Sequence, residues 1–358
     1  MNRLTAIGLA SLAAYGLLIA SKYSGLVSAA PDQRSPRVSV SVEGGASQVQ
    51  PPAPAPRPAL FATLPAPTPR AQPLKASAVA VEFRGTRDLR AFADALAARA
   101  DSLSADERYH LAKALEECQF ATSINEDLAA YSAKQKRQFL ASLPGGDPLN
   151  EKRIAAYEAV DNTTRCLGFQ GYKISPKDID ALYRAAAQQG DARAQARLIT
   201  AELGKNLGKS GPIDNAQPTR AQMDDFNILI GLLESRDPEA MMYVGQFLAQ
   251  NAVAQNLRVG PNGEVPEPSA FLGAFSLVAC DVGQDCAATH RDLMQACAYG
   301  GYCNATSFEE LYQNFLASPW AYTQAMRYRG LIHTAINDRN WGLIGLTPKL
   351  ARRDATPQ

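Results

Sequence analysis

Three histidines and two tryptophans in 358 residues leave little from which to build a histidine-based catalytic or metal centre. The chain has no Gly-rich phosphate loop, no Gly-x-Ser-x-Gly elbow and no His-Glu-x-x-His, so the nucleotide-binding, serine-hydrolase and zinc-peptidase signatures are all missing. No two cysteines stand at the Cys-x-x-Cys spacing that structural zinc sites and redox pairs favour. A formal net charge of +1 provides no basic surface of the kind nucleic acid requires, so no nucleic-acid partner is expected. The acid pairs Glu116-Glu117, Asp224-Asp225 and Glu309-Glu310 are adjacent in sequence. On a helix, neighbours point about 100° apart and cannot flank one bond, so these pairs read as solvated faces or first-turn charges. His110, His290 and His333 read as packed or surface residues. No catalytic residue, metal or cofactor is expected.

What the chain does have is length, apolar content and a strongly segmented N-terminus. With 46% hydrophobic residues it can bury one large core or two small ones. Asn2-Arg3 precedes an uncharged run from Leu4 to Ser21 that ends at Lys22, and Val27-Ser28-Ala29 offers small residues suited to signal-peptidase cleavage. Residues 1–29 therefore read either as a cleaved signal or as a single transmembrane anchor. Residues 30–77 read as a disordered linker, since Pro51, Pro52, Pro54, Pro56, Pro58, Pro65, Pro67, Pro69 and Pro73 block helix and interior strand. A semi-stiff tether makes more sense behind an anchor than behind a removed signal, which favours the anchor. Val79, Val81 and Phe83 alternate and suggest one short extended piece.

From 78 to 346 the signals are helical almost without interruption. Ser104-Ala105-Asp106-Glu107 and Ser307-Phe308-Glu309-Glu310 are capping-box patterns. Ser175-Pro176, Asp237-Pro238 and Ser318-Pro319 place a cap before a proline that fits the first helical position. The loop from Leu257 to Pro268, rich in Gly and Pro, either separates two lobes or covers a groove. Trp341 to Leu346 should dock, with 347–358 left as a disordered tail. The fold class expected is all-α, an array of antiparallel helical hairpins.

One stretch is more specific. Ala185-Ala186, Gly190-Asp191, Ala194 and Leu198 resemble the core of a Sel-like repeat, a relative of the tetratricopeptide repeat. A weaker copy follows, with Asp237 on Asp191, Ala240 on Ala194, Val244 on Leu198, and then Gly245. The first copy has Ile199 where that glycine stands, and the second has Arg236 in place of Gly190. The resemblance covers 178–250, with a repeat-like core over 175–255, and implies a scaffold or adaptor that binds other proteins. In helical repeats the recognition surface is the concave face of the first helices. Here that face carries Asp180, Tyr183, Arg184 and Gln188, with Asn227 and Glu234 in the second unit. Tyr183 and Arg184, of the types most often energetic at interfaces, are the candidate binding residues.

Six cysteines in a chain read as exported form a disulfide framework. Cys280 and Cys286 close one short segment and Cys297 and Cys303 another, within a Cys-rich part over 270–305. Cys118 lies on an apolar helix face and Cys166 ends a neighbouring hairpin. Of fifteen possible pairings, Cys118–Cys166, Cys280–Cys286 and Cys297–Cys303 are the ones expected. The functional expectation is a periplasmic, inner-membrane-anchored interaction protein whose partner is an envelope protein or peptide. The alternative is a cell-wall glycan hydrolase using two carboxylates distant in sequence.

Overall fold

The computed structural model describes residues 75–346, apart from 125, 211–219, 254–255 and 288–289. The signal or anchor, most of the Pro-rich linker and the tail after 346 lie outside the described residues. Helices follow one another as α1 (Ala78–Gly85), α2 (Leu89–Ala97), α3 (Ala105–Cys118), α4 (Leu128–Ser142), α5 (Asn150–Val160), α6 (Asn162–Arg165) and α7 (Pro176–Gln188). Then come α8 (Ala192–Ser210), α9 (Arg220–Glu234), α10 (Pro238–Asn251), α11 (Pro268–Asp281), α12 (Arg291–Gly300), α13 (Phe308–Leu311) and α14 (Pro319–Asp338). Among the described residues there are no strands, only isolated bridges pairing Val259 with Glu264 and Ala287 with Ser307. The chain is all-α as expected. No described helix is long and apolar enough to cross a membrane.

The N-terminal alternation of Val79, Val81 and Phe83 is helical, which corrects the extended piece. A lone strand would leave its backbone groups without partners, whereas the helix closes its own, and Ser77 caps it by accepting from the Ala80 N–H. Only Phe83 of the three is buried. The expected caps form at Ser104, Ser175, Asp237 and Ser318, and Glu107 completes the box at Ser104. At Ser307 the box is half made. Ser307 accepts from Glu310 N–H, but the Glu310 carboxylate accepts from the Thr306 N–H and hydroxyl instead.

Two helical hairpins stack through α8 and α10, and the array continues from α10 to α11 and from α11 to α14, while α3 covers α7 and α5 pairs with α12. The two hairpin turns are built alike. Gly190 has φ +90°, and Arg236, at the matching position, also takes a left-handed φ of +49°. Asp191 accepts from the Arg193 and Ala194 N–H groups, and Asp237 from those of Glu239 and Ala240, each at 3.0 Å. A Cβ at Gly245 would overlap the Phe275 ring, so glycine there permits the close contact of α10 with α11.

All three disulfides pair as expected: Cys118–Cys166, Cys280–Cys286 and Cys297–Cys303. With every cysteine bonded, the chain is that of a protein maturing in an oxidising, extracytoplasmic environment. The loop after Leu257 neither parts two lobes nor covers a groove. It folds back through the Val259–Glu264 bridge and donates Gly260 N–H to Leu343 O at 2.8 Å. That contact holds the docked C-terminal turn, where Trp341, Ile344 and Leu346 are buried.

Candidate interaction surface

Tyr183 is not on a recognition face. It is fully buried, because α3 lies directly on the side of α7 that the repeat analogy left open. Its hydroxyl donates to Glu116 at 2.7 Å, and Arg197 stacks over its ring at 4.0 Å while also pairing with Glu116. Arg184 does lie on the surface, in an ion pair at 2.7 Å with Asp180 one turn back. Asn227 and Glu234 lie on α9, and Glu234 pairs with Arg339 at 3.2 Å.

Tyr183 belongs to a polar clasp that joins α3, α7, α8 and α10. Lys113 of α3 pairs with Glu239 of α10. Arg193 bridges Asp106 at 2.6 Å and Asp191 at 2.5 Å, approaches Asp237 at 4.0 Å and lies 4.3 Å over the Tyr109 ring. Asp106, Asp191 and Asp237 each sit at a helix start, where the N-terminal dipoles favour negative charge. Burial pushes Asp106 up, but hydrogen bonds from His110, Ser77 and Arg193 outweigh it and hold the carboxyl below its usual range. Burial likewise opposes Glu239, yet Lys113 brings it down to about 2. Burial wins at Asp237, which is pushed up to about 6.

The clasp is arranged for cohesion. Its carboxylates are committed to guanidinium, ammonium or backbone N–H groups, and Asp237 serves as the cap of α10. Among the described residues no group of three His, Cys, Asp or Glu side chains is arranged to hold a metal ion. His290 caps α12, His110 is buried against Tyr109 and Phe83, and His333 contacts Asp281 at 2.7 Å.

A different surface is built to be met from outside. After α13 the chain makes one π-helical turn, Tyr312–Leu316, closed by Ala317 N–H on Tyr312 O at 2.9 Å. Such turns are rare and concentrate at functional sites. Ser318-Pro319 then starts α14, because the residue before proline is driven out of helical geometry. The wider turn directs Phe315 (43% exposed) and Leu316 (48%) into solvent, and Trp320 (58%) follows in the first turn of α14. Tyr302 supports them, its ring stacked on Phe315 with centroids 4.8 Å apart. Tyr302 is itself fixed by the left-handed Gly301 and by the Cys297–Cys303 bridge, with its N–H on Ala296 O. Tyr312, beneath the rim, packs its ring onto Gly273 of α11.

These rim residues were not among the sequence candidates. A signal was present: Leu311, Tyr312, Phe315 and Leu316 put four apolar side chains within six residues, more than one helix face can bury. The stretch from Asp292 to Met326 also contains no Lys, Arg or His. No family model, curated protein or solved structure matches the chain.

Proposed function

We propose that this chain is an extracytoplasmic interaction protein, a disulfide-braced helical scaffold that engages an envelope protein or peptide. The observation that carries this reading is the rim of Phe315, Leu316 and Trp320. Contiguous exposed apolar side chains of this size mark interaction sites, and tryptophan and tyrosine are enriched where binding energy concentrates. The stacked helical hairpins and the resemblance of 178–250 to Sel-like repeats support the same reading. The compartment is the bacterial periplasm, with the domain held to the inner membrane by the uncharged segment Leu4–Ser21 and set off from it by the Pro-rich tether. Mass spectrometry of the native N-terminus tests this: a mature chain beginning at Ala30 removes the anchor, and recovery from the cytosol removes the compartment as well.

The interaction reading is tested with a Phe315→Ser/Trp320→Ser double variant. Both side chains are largely in solvent, so the thermal midpoint should be unchanged within the small range usual for surface substitutions. The envelope partner captured by wild type should be lost. Retention of that partner, or glycan cleavage by the purified domain in a zymogram, would contradict the reading; the second result would establish the hydrolase alternative.

A further inference from the structure

The electrostatic setting of the rim says what its partner carries. From Val259 to Met326 the chain holds seven carboxylates, and its only cationic side chains are His290 and Arg291. Arg291 is turned elsewhere: its guanidinium donates to Val160 O and Asn162 Oδ1 and approaches Glu117 at 3.8 Å. His290 is taken up capping α12. Glu309 and Glu310 open the helical segment whose π turn carries Phe315 and Leu316. Glu309 shares Arg329 with Asp281. Glu310 has no such cation; the Thr306 N–H and hydroxyl at 2.8 and 2.7 Å are its partners, and they hold its carboxyl below the usual range.

We infer that the rim docks a basic apolar segment of a partner protein, with two or three aliphatic or aromatic side chains flanked by Lys or Arg. This rests on the interaction reading above and names the partner's chemistry. Apolar side chains would cover Phe315, Leu316 and Trp320, while the flanking cations meet Glu309 and Glu310. Opposite charge around an apolar centre steers encounter and selects against acidic partners. An anionic lipid surface meets the same carboxylates with like charge.

Trp320 supplies the readout. The chain has two tryptophans, and the other, Trp341, is buried. Full-length protein is titrated with an amphipathic Leu/Lys peptide, with its Leu/Glu counterpart, and with phosphatidylcholine vesicles, following tryptophan emission and iodide quenching. The Leu/Lys peptide should blue-shift the emission and protect it from iodide, with affinity falling as salt rises. Glu310→Gln should weaken binding about threefold to tenfold through the on-rate, and Phe315→Ser about thirtyfold. An equal response to the Leu/Glu peptide would overturn the basic partner while leaving the interaction reading intact. A response to vesicles alone would replace the protein partner with a lipid surface and overturn both. No response to either peptide would overturn the inference. Circular dichroism of each variant guards against misfolding, and Phe315→Leu, which keeps the apolar contact, should recover most of the affinity lost in Phe315→Ser.

Discussion

The ring of Phe315 lies on the ring of Tyr302, with centroids 4.8 Å apart and planes 25° from parallel. One ring comes from a π-helical turn and the other from a turn locked by a disulfide, so two irregular elements hold each other at the surface. Such a pair contributes about 0.5–1.5 kcal/mol beyond its buried area. Tyr302→Ala is therefore expected to lower stability by about 1 kcal/mol and to increase the iodide accessibility of the rim. Urea denaturation and quenching check the two effects separately.

The ion pair between Lys113 and Glu239 joins helices far apart in sequence, and both side chains are largely covered. Removing one partner leaves the other charge poorly solvated. Lys113→Met or Glu239→Leu alone should each cost about 1–3 kcal/mol. The double substitution should cost less than the sum of the singles. A double-mutant cycle in urea measures this, and strict additivity would mean that the pair does not couple α3 to α10.

The three disulfides should differ in weight. On the chain-entropy model the Cys118–Cys166 bridge, whose ends are 48 residues apart, contributes about 4 kcal/mol, and each six-residue bridge about 2 kcal/mol. Paired Cys→Ser variants followed by thermal melts should rank them in that order. The Cys297–Cys303 variant alone should also loosen Tyr302 and change the Trp320 quenching.

Stability should peak in mildly acidic solution. Asp237 is raised to about 6 by burial, so the stability linked to its proton is present below its unfolded value and lost as pH rises through about 6. Glu239, lowered to about 2, and Asp106, lowered below its usual range, act oppositely. Their contribution is present above the unfolded values and lost as pH falls toward the folded ones. The thermal midpoint should rise on going from neutral pH to about 5 and fall again below about 4. Asp237→Asn should remove the first rise and leave the acid-side fall.

Local chemistry made much of this fold legible. Ser104, Ser175, Asp237 and Ser318 cap helices because their side chains suit exposed N–H groups wherever a helix begins. The cysteine pairs were legible because short loops and a shared hairpin leave few alternatives. The matched Asp191 and Asp237 caps followed from the hairpin pattern, even with Arg236 taking the left-handed position that Gly190 fills by default. Tyr183 was misplaced because the sequence says that a helix has two faces, not which neighbour will cover one of them. Val79, Val81 and Phe83 misled because alternation predicts a strand only where a second strand is available. The rim stayed hidden because Phe315, Leu316 and Trp320 read as core types, and only the π turn puts them outside.

The most direct test of an interaction protein that uses this rim is site-specific photo-crosslinking in intact cells. A photoreactive residue is placed at Leu316 in one strain and at Arg184, on the face expected from the repeat analogy, in another. The account predicts a discrete envelope-protein adduct from position 316 that disappears with Phe315→Ser, and none from position 184. An adduct from 184 alone, or none from 316 with the domain folded and exported, would contradict it.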